Sequence, residues 1–171
     1  KLLDALGRKW QLSTVQFDFT LPQRFGLEYV AEDGKRHQPV MVHRALYGSI
    51  ERFFGTLVEH YAGAFPVWLA PVQVAVMPIT DRQLEYAQKV HARLEAAGLR
   101  SHLDDRKEKV NLKIREAQLQ KIPYMLVVGD REAEAGTVSV RHRKHADMGV
   151  KPLEQFVEDV CKLVEAKSAT E

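Results

Sequence analysis

The chain has 171 residues, room for one full domain and part of another. Hydrophobic residues make up 45% and charged residues 28%, which excludes a disordered or low-complexity polymer. With 25 basic side chains against 23 acidic ones the formal charge is +2, so no overall basic field attracts nucleic acid, and any such site must come from local arrangement. The longest apolar run is too short to span a bilayer. The single cysteine, Cys161, excludes an intrachain disulfide and a cysteine-based zinc cluster within this sequence. The chain begins Lys1-Leu2-Leu3, without an initiator methionine and already inside a periodic pattern. The expectation is a piece of a longer protein.

Residues 9–21 are rich in β-formers, with Trp10, Val15, Phe17 and Phe19, and read as a strand or hairpin arm stopped by Pro22. A short strand over 27–30, a turn at Glu32-Asp33-Gly34-Lys35 and a strand over 38–44 follow, and together these suggest antiparallel pairing. From Ser49 the period changes. Ile50, Phe53, Phe54, Leu57, Val58 and Tyr61 form a helical stripe, with Ser49 as N-cap and Gly63 as stop; Phe53 and Phe54 are expected in the core.

Residues 65–71 are a proline-bracketed connector, and the pattern beyond them alternates strand and helix. A strand over 72–77 is followed by a capping box of Thr80 and Gln83, then a helix carrying Leu84, Ala87, Val90, Leu94 and Ala97 to Gly98. A strand over 99–103, a helix over 109–120 with Val110, Ile114 and Ala117 inward, a buried strand over 123–129 and a strand over 137–143 come next. Pro152 opens a last helix whose face carries Leu153, Phe156, Val157, Val160, Leu163 and Val164. This is an α/β layer sandwich of three helices on a mixed sheet whose last strand runs antiparallel. The domain boundary is expected at 70/71, giving 1–70 and 71–171.

Gly48-Ser49-Ile50-Glu51-Arg52 is the first chemical candidate, because the N–H groups of a helix start attract an anion and Arg52 adds a charged donor. The spacing alone favours the plainer reading, a capped surface helix with a solvated arginine. His43 has no metal-ligand motif around it. Gln11 and Gln16 are five apart, so on one regular strand they face opposite sides. Arg106, Lys107, Lys109, Lys113, Arg115 and Lys121 crowd the helix over 109–120 and its approach; Arg141 to His145 form a second basic group, and Glu132 falls in the turn between strands. These fit either an RNA-binding surface or a solvated face. Glycine-rich phosphate loops and catalytic triads are absent from the sequence.

His43-Arg44-Ala45-Leu46-Tyr47-Gly48-Ser49-Ile50-Glu51-Arg52-Phe53, the join Trp68-Leu69-Ala70-Pro71, and upstream Trp10-Gln11-Leu12-Ser13-Thr14-Val15-Gln16 together resemble the threonyl-tRNA synthetase family. Lys113-Ile114-Arg115-Glu116, Pro123-Tyr124-Met125-Leu126-Val127 and Val138-Ser139-Val140-Arg141 resemble its anticodon-binding domain, so the likeness runs along the whole chain. It implies the end of a class II antiparallel catalytic domain with its third-motif helix, then a complete anticodon-binding domain.

The likeness also implies roles, residue by residue. Arg52 corresponds to the arginine holding the ATP γ-phosphate, and Gln11 and Ser49 to positions on ATP or the adenylate. Gln16 and Ala45 correspond to the threonine pocket, and His43 to one of three ligands of a zinc that grips threonine. Arg115, Glu132 and Arg141 correspond to anticodon contacts. Lys107 and Lys121 stand where other members carry asparagine and arginine, and a lysine keeps charge without the bidentate fork. The implied function is ATP-dependent threonine–tRNA ligation in a cytoplasmic homodimer, with ATP, Mg2+ and zinc in the parent enzyme and no zinc held by this piece alone. The implied partner is the anticodon arm of threonine tRNA, not a membrane. A non-enzymatic, anticodon-domain-like RNA-binding accessory protein is the alternative, although such a protein would be expected to have lost Arg52 and His43.

Overall fold

The chain divides into two compact units, Lys1–Tyr61 and Ala62–Glu171. The computed structural model describes residues 1–169.

The first unit is built from antiparallel pairs. β1 (Leu2–Leu3) pairs with β2 (Lys9–Trp10), β3 (Thr14–Asp18) with the later β6 (Met41–Ala45), and β4 (Tyr29–Val30) with β5 (Arg36–His37). Helix α1 (Thr20–Arg24) follows β3, and α2 (Ile50–Tyr61) closes the unit. The strand or hairpin arm expected over 9–21 is interrupted and shorter than expected. Residues 11–13 leave the ladder, and Pro22 is buried inside α1 instead of ending a strand. Asp18 explains the helix start, because its Oδ1 accepts the N–H groups of Thr20 (2.8 Å) and Leu21 (2.9 Å). Proline is tolerated in that first turn, where an N–H has no helical acceptor.

Helix α2 begins as its sequence suggests, with Ser49 Oγ accepting the Arg52 N–H at 3.3 Å and Gly63 beyond its end at φ +74°. Its apolar stripe is not core, contrary to expectation. Ile50 is 72% exposed, Phe54 58% exposed and Phe53 only half-buried, while Thr56 is the helix residue that is buried. Among the described residues of this unit no second apolar layer packs on the stripe: Leu12 is the buried member of its large aliphatic and aromatic side chains.

The second unit has a five-stranded sheet in the order β11-β10-β9-β7-β8. β7 (Val74–Pro78) runs parallel to β8 (Ser101–Leu103) and β9 (Tyr124–Val128). β10 (Thr137–His142) is antiparallel to β9 and to β11 (Ala146–Pro152). Helix α3 (Leu84–Ala96) starts through a 3-10 turn at Asp81–Gln83, where Gln83 Oε1 accepts the Thr80 N–H at 2.9 Å, as the capping box predicts. α4 (Val110–Leu119) follows β8, and α6 (Leu153–Glu165) follows β11. The expected three helices are joined by a fourth, short one, α5 (Asp130–Ala135).

Alternation along the strands divides the core. Val74, Val76, Tyr124, Leu126, Val128, Val138 and Val140 face α3 and α6, meeting Ala87, Val90, Leu94, Phe156, Val157 and Val160. Ala75, Met77 and Met125 face the other way, onto Ala117 of α4 and Ile122. Burying a Leu or Phe side chain is worth about 1.5–3 kcal/mol, so the first face dominates this unit's stability.

Residues 62–73 bond to the second unit. Arg100 donates to the carbonyls of Trp68 (2.9 Å) and Ala70 (3.0 Å), Gln73 Nε2 to that of Val67 (2.8 Å), and Arg143 to those of Ala64 (3.2 Å) and Phe65 (2.7 Å). The units thus meet at 61/62, upstream of the boundary expected at 70/71.

Candidate functional site

In the first unit the register of β3 and β6 brings implied site residues together. Gln16 lies directly opposite His43, Thr14 opposite Ala45 and Asp18 opposite Met41. Opposed residues of an antiparallel pair share a face, so Gln16, His43 and Ala45 project from one side. Asp18 joins them with Oδ2 3.3 Å from His43 Nε2. The Leu21 N–H first, then those of Thr20 and the His43 ring, hold the Asp18 carboxyl below the usual carboxylate range against the opposing effect of burial. Gln16, Asp18, Thr20 and His43 line an open hollow of about 460 Å³ with Phe17 and Phe19.

Gln11 and Gln16 do not belong to one strand, since residues 11–13 leave the ladder. That short stretch crosses instead to the start of α2. Ser13 Oγ donates to the Leu46 carbonyl at 2.6 Å, and a Cβ on Gly48 would meet the Leu12 carbonyl oxygen at 2.8 Å. Gly48, at φ +69°, is required on both counts. The backbone at Gln11 and Leu12 therefore lies against the turn that launches Ser49 and Arg52. Ser49 Oγ, besides capping, donates to Glu51 Oε2 at 2.6 Å, and that bond lowers the Glu51 pKa. The Arg52 guanidinium lies 5.7 Å from the centre of the Trp10 ring. One exposed cation at the positive end of a helix makes a surface able to receive a polyanion.

A resident zinc is tested by the donor set. A catalytic zinc takes about three protein ligands, whereas His43 has only the Asp18 carboxylate beside it. Among the described residues no three His, Cys, Asp or Glu side chains converge. The residues present do not by themselves fit that centre.

In the second unit the five implied anticodon positions are spread over several elements. Lys107 lies in the loop before α4, 3.2 Å from Asp81 Oδ2. That loop and the β7–α3 turn line a crevice of about 520 Å³ at the carboxyl ends of parallel strands β7 and β8. Arg115 is exposed on α4. Lys121 follows α4 at φ +61°, its carbonyl accepting Arg143 Nη1 at 2.8 Å. Glu132 is on α5 and not in a turn, a correction: its Oε2 accepts the Gly129 N–H at 2.9 Å and so closes the helix start. Arg141 stands opposite Met125 on β10, hence on the α4 side of the sheet. Helix α4 packs on β7 and β9. On that same face Ser139 and Arg141 are half-buried and Val150, opposite Ser139, is exposed. Arg141 Nη1 is 3.6 Å from Asp147 Oδ2, and its buried Nε has no hydrogen-bond partner among the described residues.

Lys113 was grouped in the sequence with the surface cations, yet it is 3% exposed, with Nζ 2.9 Å from the Asp104 carbonyl oxygen. The helical period could have found it, since Val110, Lys113, Ile114 and Ala117 fall at i, i+3, i+4 and i+7. Asp18 was likewise legible as the residue two beyond Gln16 on the same face. Asp4 and its contact with Trp10 had no sequence signal.

A capped helix start beside a two-stranded antiparallel pair, followed by an α/β unit with a half-open sheet face, defines a class that sequence comparison makes explicit. Residues 1–61 match the tRNA synthetase class II core domain (G, H, P, S and T), and residues 73–163, more than half the chain, match the anticodon binding domain. The chain belongs to the anticodon-binding-domain family of tRNA synthetases. More narrowly, it is 66% identical over 98% of its length to a threonine–tRNA ligase from Acidobacterium capsulatum and 60% over 97% to one from Syntrophomonas wolfei. It spans about a quarter of the length of these relatives, 25% and 26%. The crystal structure of the RNA binding domain of threonyl-tRNA synthetase from Cryptosporidium parvum superposes with a TM-score of 0.84 at 37% identity, over 93% of this chain and 40% of that one. A prolyl-tRNA synthetase from the same organism gives 0.68 at 25% identity, over 91% of this chain and 35% of that one.

Proposed function

We propose that the whole protein is a threonine–tRNA ligase, and that this chain supplies part of its activation site together with its anticodon-reading domain. The observation that carries the reading is the 66% identity to a threonine–tRNA ligase along almost the whole chain. In the reaction the threonine carboxylate attacks the α-phosphorus of ATP and pyrophosphate leaves. A hydroxyl of the terminal ribose of tRNA then attacks the acyl carbon and AMP leaves. Such chemistry is accelerated chiefly by positioning and by charge stabilisation.

Arg52 holds the γ-phosphate, next to the N–H groups that Ser49 leads into α2. Gln11 and Ser49 contact ATP or the adenylate. Gln16 and Ala45 line the threonine pocket. Mg2+ bound with ATP supplies charge neutralisation along the polyphosphate. His43 is the one imidazole this chain would contribute to the zinc of that family. A site that bonds the threonine hydroxyl rejects valine far better than an apolar pocket can. The catalytic part is the first unit, through Tyr61, and the anticodon-binding domain is the second, with the connector that bonds to it. A homodimer and a cytoplasmic location complete the proposal; among the described residues no helix is long and apolar enough to cross a membrane.

Arg115, Glu132, Arg141, Lys107 and Lys121 are the proposed contacts to the anticodon arm. Arg141 supports this best, as a half-buried arginine on the side of the sheet that α4 covers in part. Binding of wild-type and base-substituted anticodon stem-loops at two salt concentrations is the test. Arg115→Ala and Arg141→Ala should each cost about 1–3 kcal/mol and relax discrimination at one base. Lys109→Ala should weaken all loops alike and flatten the salt dependence by roughly one counterion. Equal losses for cognate and substituted loops in both arginine variants would leave no base reading to these residues.

A further inference from the structure

The carboxylate of Asp4 has no solvent exposure, and its two oxygens take four donors. Oδ1 accepts the N–H groups of Leu6 (3.0 Å) and Arg8 (2.8 Å); Oδ2 accepts Arg8 Nε (2.5 Å) and Trp10 Nε1 (2.8 Å). Burial pushes the carboxyl up, but these donors outweigh it and hold its pKa at about 2, so it is an anion at neutral pH. An ionised acceptor grips the indole N–H more strongly than a neutral one. The Trp10 ring is thereby pinned at its nitrogen edge.

Two guanidiniums lie against that ring, Arg8 and Arg52, each 5.7 Å from its centre. Arg8 is also anchored elsewhere, on Asp4 and, at 3.5 Å, on Glu59. Arg52 is different: it is exposed, and among the described residues no carboxylate pairs with it. We propose that Trp10 is a positioning residue for Arg52, its indole locked by Asp4 and holding the guanidinium at the start of α2 where a polyphosphate is received. This rests on the reading of Arg52 as a phosphate-binding arginine.

The choice of an indole has a physical logic. A free arginine side chain carries large rotamer entropy, which binding would have to remove. A carboxylate partner would order it but would also neutralise the charge that the phosphate must meet. An aromatic face orders the guanidinium and leaves its charge and its N–H donors available.

Two measurements test the inference and separate it from the reading beneath it. In the 171-residue chain, 15N relaxation of the Arg52 Nε–H group reports side-chain order. Wild type should be the most ordered and Trp10→Leu the loosest; Trp10→Phe, which keeps an aromatic face but has no N–H for Asp4, and Asp4→Asn should fall between them. Unchanged Arg52 order in Trp10→Leu would overturn the proposal. Unchanged order in folded Asp4→Asn would overturn the role of the carboxylate, and if that variant does not fold, the Phe and Leu variants decide. In a full-length synthetase carrying these residues, Trp10→Leu should raise KM for ATP in pyrophosphate exchange roughly two- to fivefold, as expected for one exposed cation–π contact, with kcat little changed and Trp10→Phe restoring part of it. An unaltered KM, or a fall in kcat alone, also overturns it. Normal exchange by Arg52→Ala would instead sink the phosphate reading while leaving the order measurement standing.

Discussion

Gln16 and His43 face each other because β3 and β6 pair in a register that sets them directly opposite, and a slip of one residue would send them to different sides. Period-two reasoning from sequence gives the shared face of Gln16 and Asp18, but the pairing to His43 depends on contacts 25 or more residues apart and is invisible locally. Asp4 is the extreme case. Nothing around Lys1-Leu2-Leu3-Asp4 marks it as buried, since its partners are placed by the turn between β1 and β2. Its ionisation makes a prediction with a definite sign. The folded pKa of about 2 lies below the ordinary aspartate value of 3.8, so Asp4 contributes stability that is fully present above about pH 4. That contribution is lost as the pH falls through the window from 3.8 toward 2. Unfolding midpoints of the first unit, followed by tryptophan fluorescence in a Trp68→Phe background that leaves Trp10 as the emitter, should drop across this window. Asp4→Asn should lower the midpoint at neutral pH and flatten the acid limb; a variant with the wild-type acid limb would show that Asp4 is not the linked group.

Elements with a strong apolar period were legible: α2, α3, α4 and α6 lie where their stripes put them, within a residue or two of the expected ends. The ones missed lack that signal. Helix α5 is six residues long with no buried member, held by Glu132 on the Gly129 N–H and by Gly136 at φ +66°. β11 is almost wholly exposed, and pairing with β10 is what makes it a strand. Lys113 shows how one residue fastens an element. Its ammonium sits at the carboxyl ends of β7 and β8, on the carbonyls of Asp104 (2.9 Å) and Pro78 (3.5 Å). Arg106 continues the tie, bonding Asp104 at 2.7 Å and Glu116 of α4 at 2.6 Å, and its bond holds the Asp104 carboxyl low. Lys113→Met keeps the apolar stem and leaves those carbonyls without a charged donor. It should destabilise the second unit by about 1–3 kcal/mol with an unchanged denaturant slope. A neutral outcome in urea unfolding would mean that water or a shifted donor replaces the ammonium.

The two units differ in kind, and that difference yields a boundary. The second has apolar layers on both faces of its sheet, whereas the first exposes Phe17 (67%), Phe19 (63%) and Ile50 (72%). Local opening should therefore begin in the first unit. The sequence suggested a join at 70/71 because Pro66 and Pro71 bracket a change of pattern. It could not show that Arg100 and Arg143, far along the chain, bond the carbonyls of Ala64, Phe65, Trp68 and Ala70. Val67 and Ala70 are also buried, so residues 64–70 lack the exposed, unbonded backbone that a protease requires. Limited proteolysis of the 171-residue chain should first remove the first unit and leave a stable fragment beginning near Ala62 to Ala64, read by N-terminal sequencing and mass. Arg143→Ala releases two of those carbonyls and should move the cut toward Pro66. A first stable fragment beginning at Val72 in the wild type would place the connector with the first unit, and early cuts within α3 or α4 would mean that the second unit is not the more stable of the two.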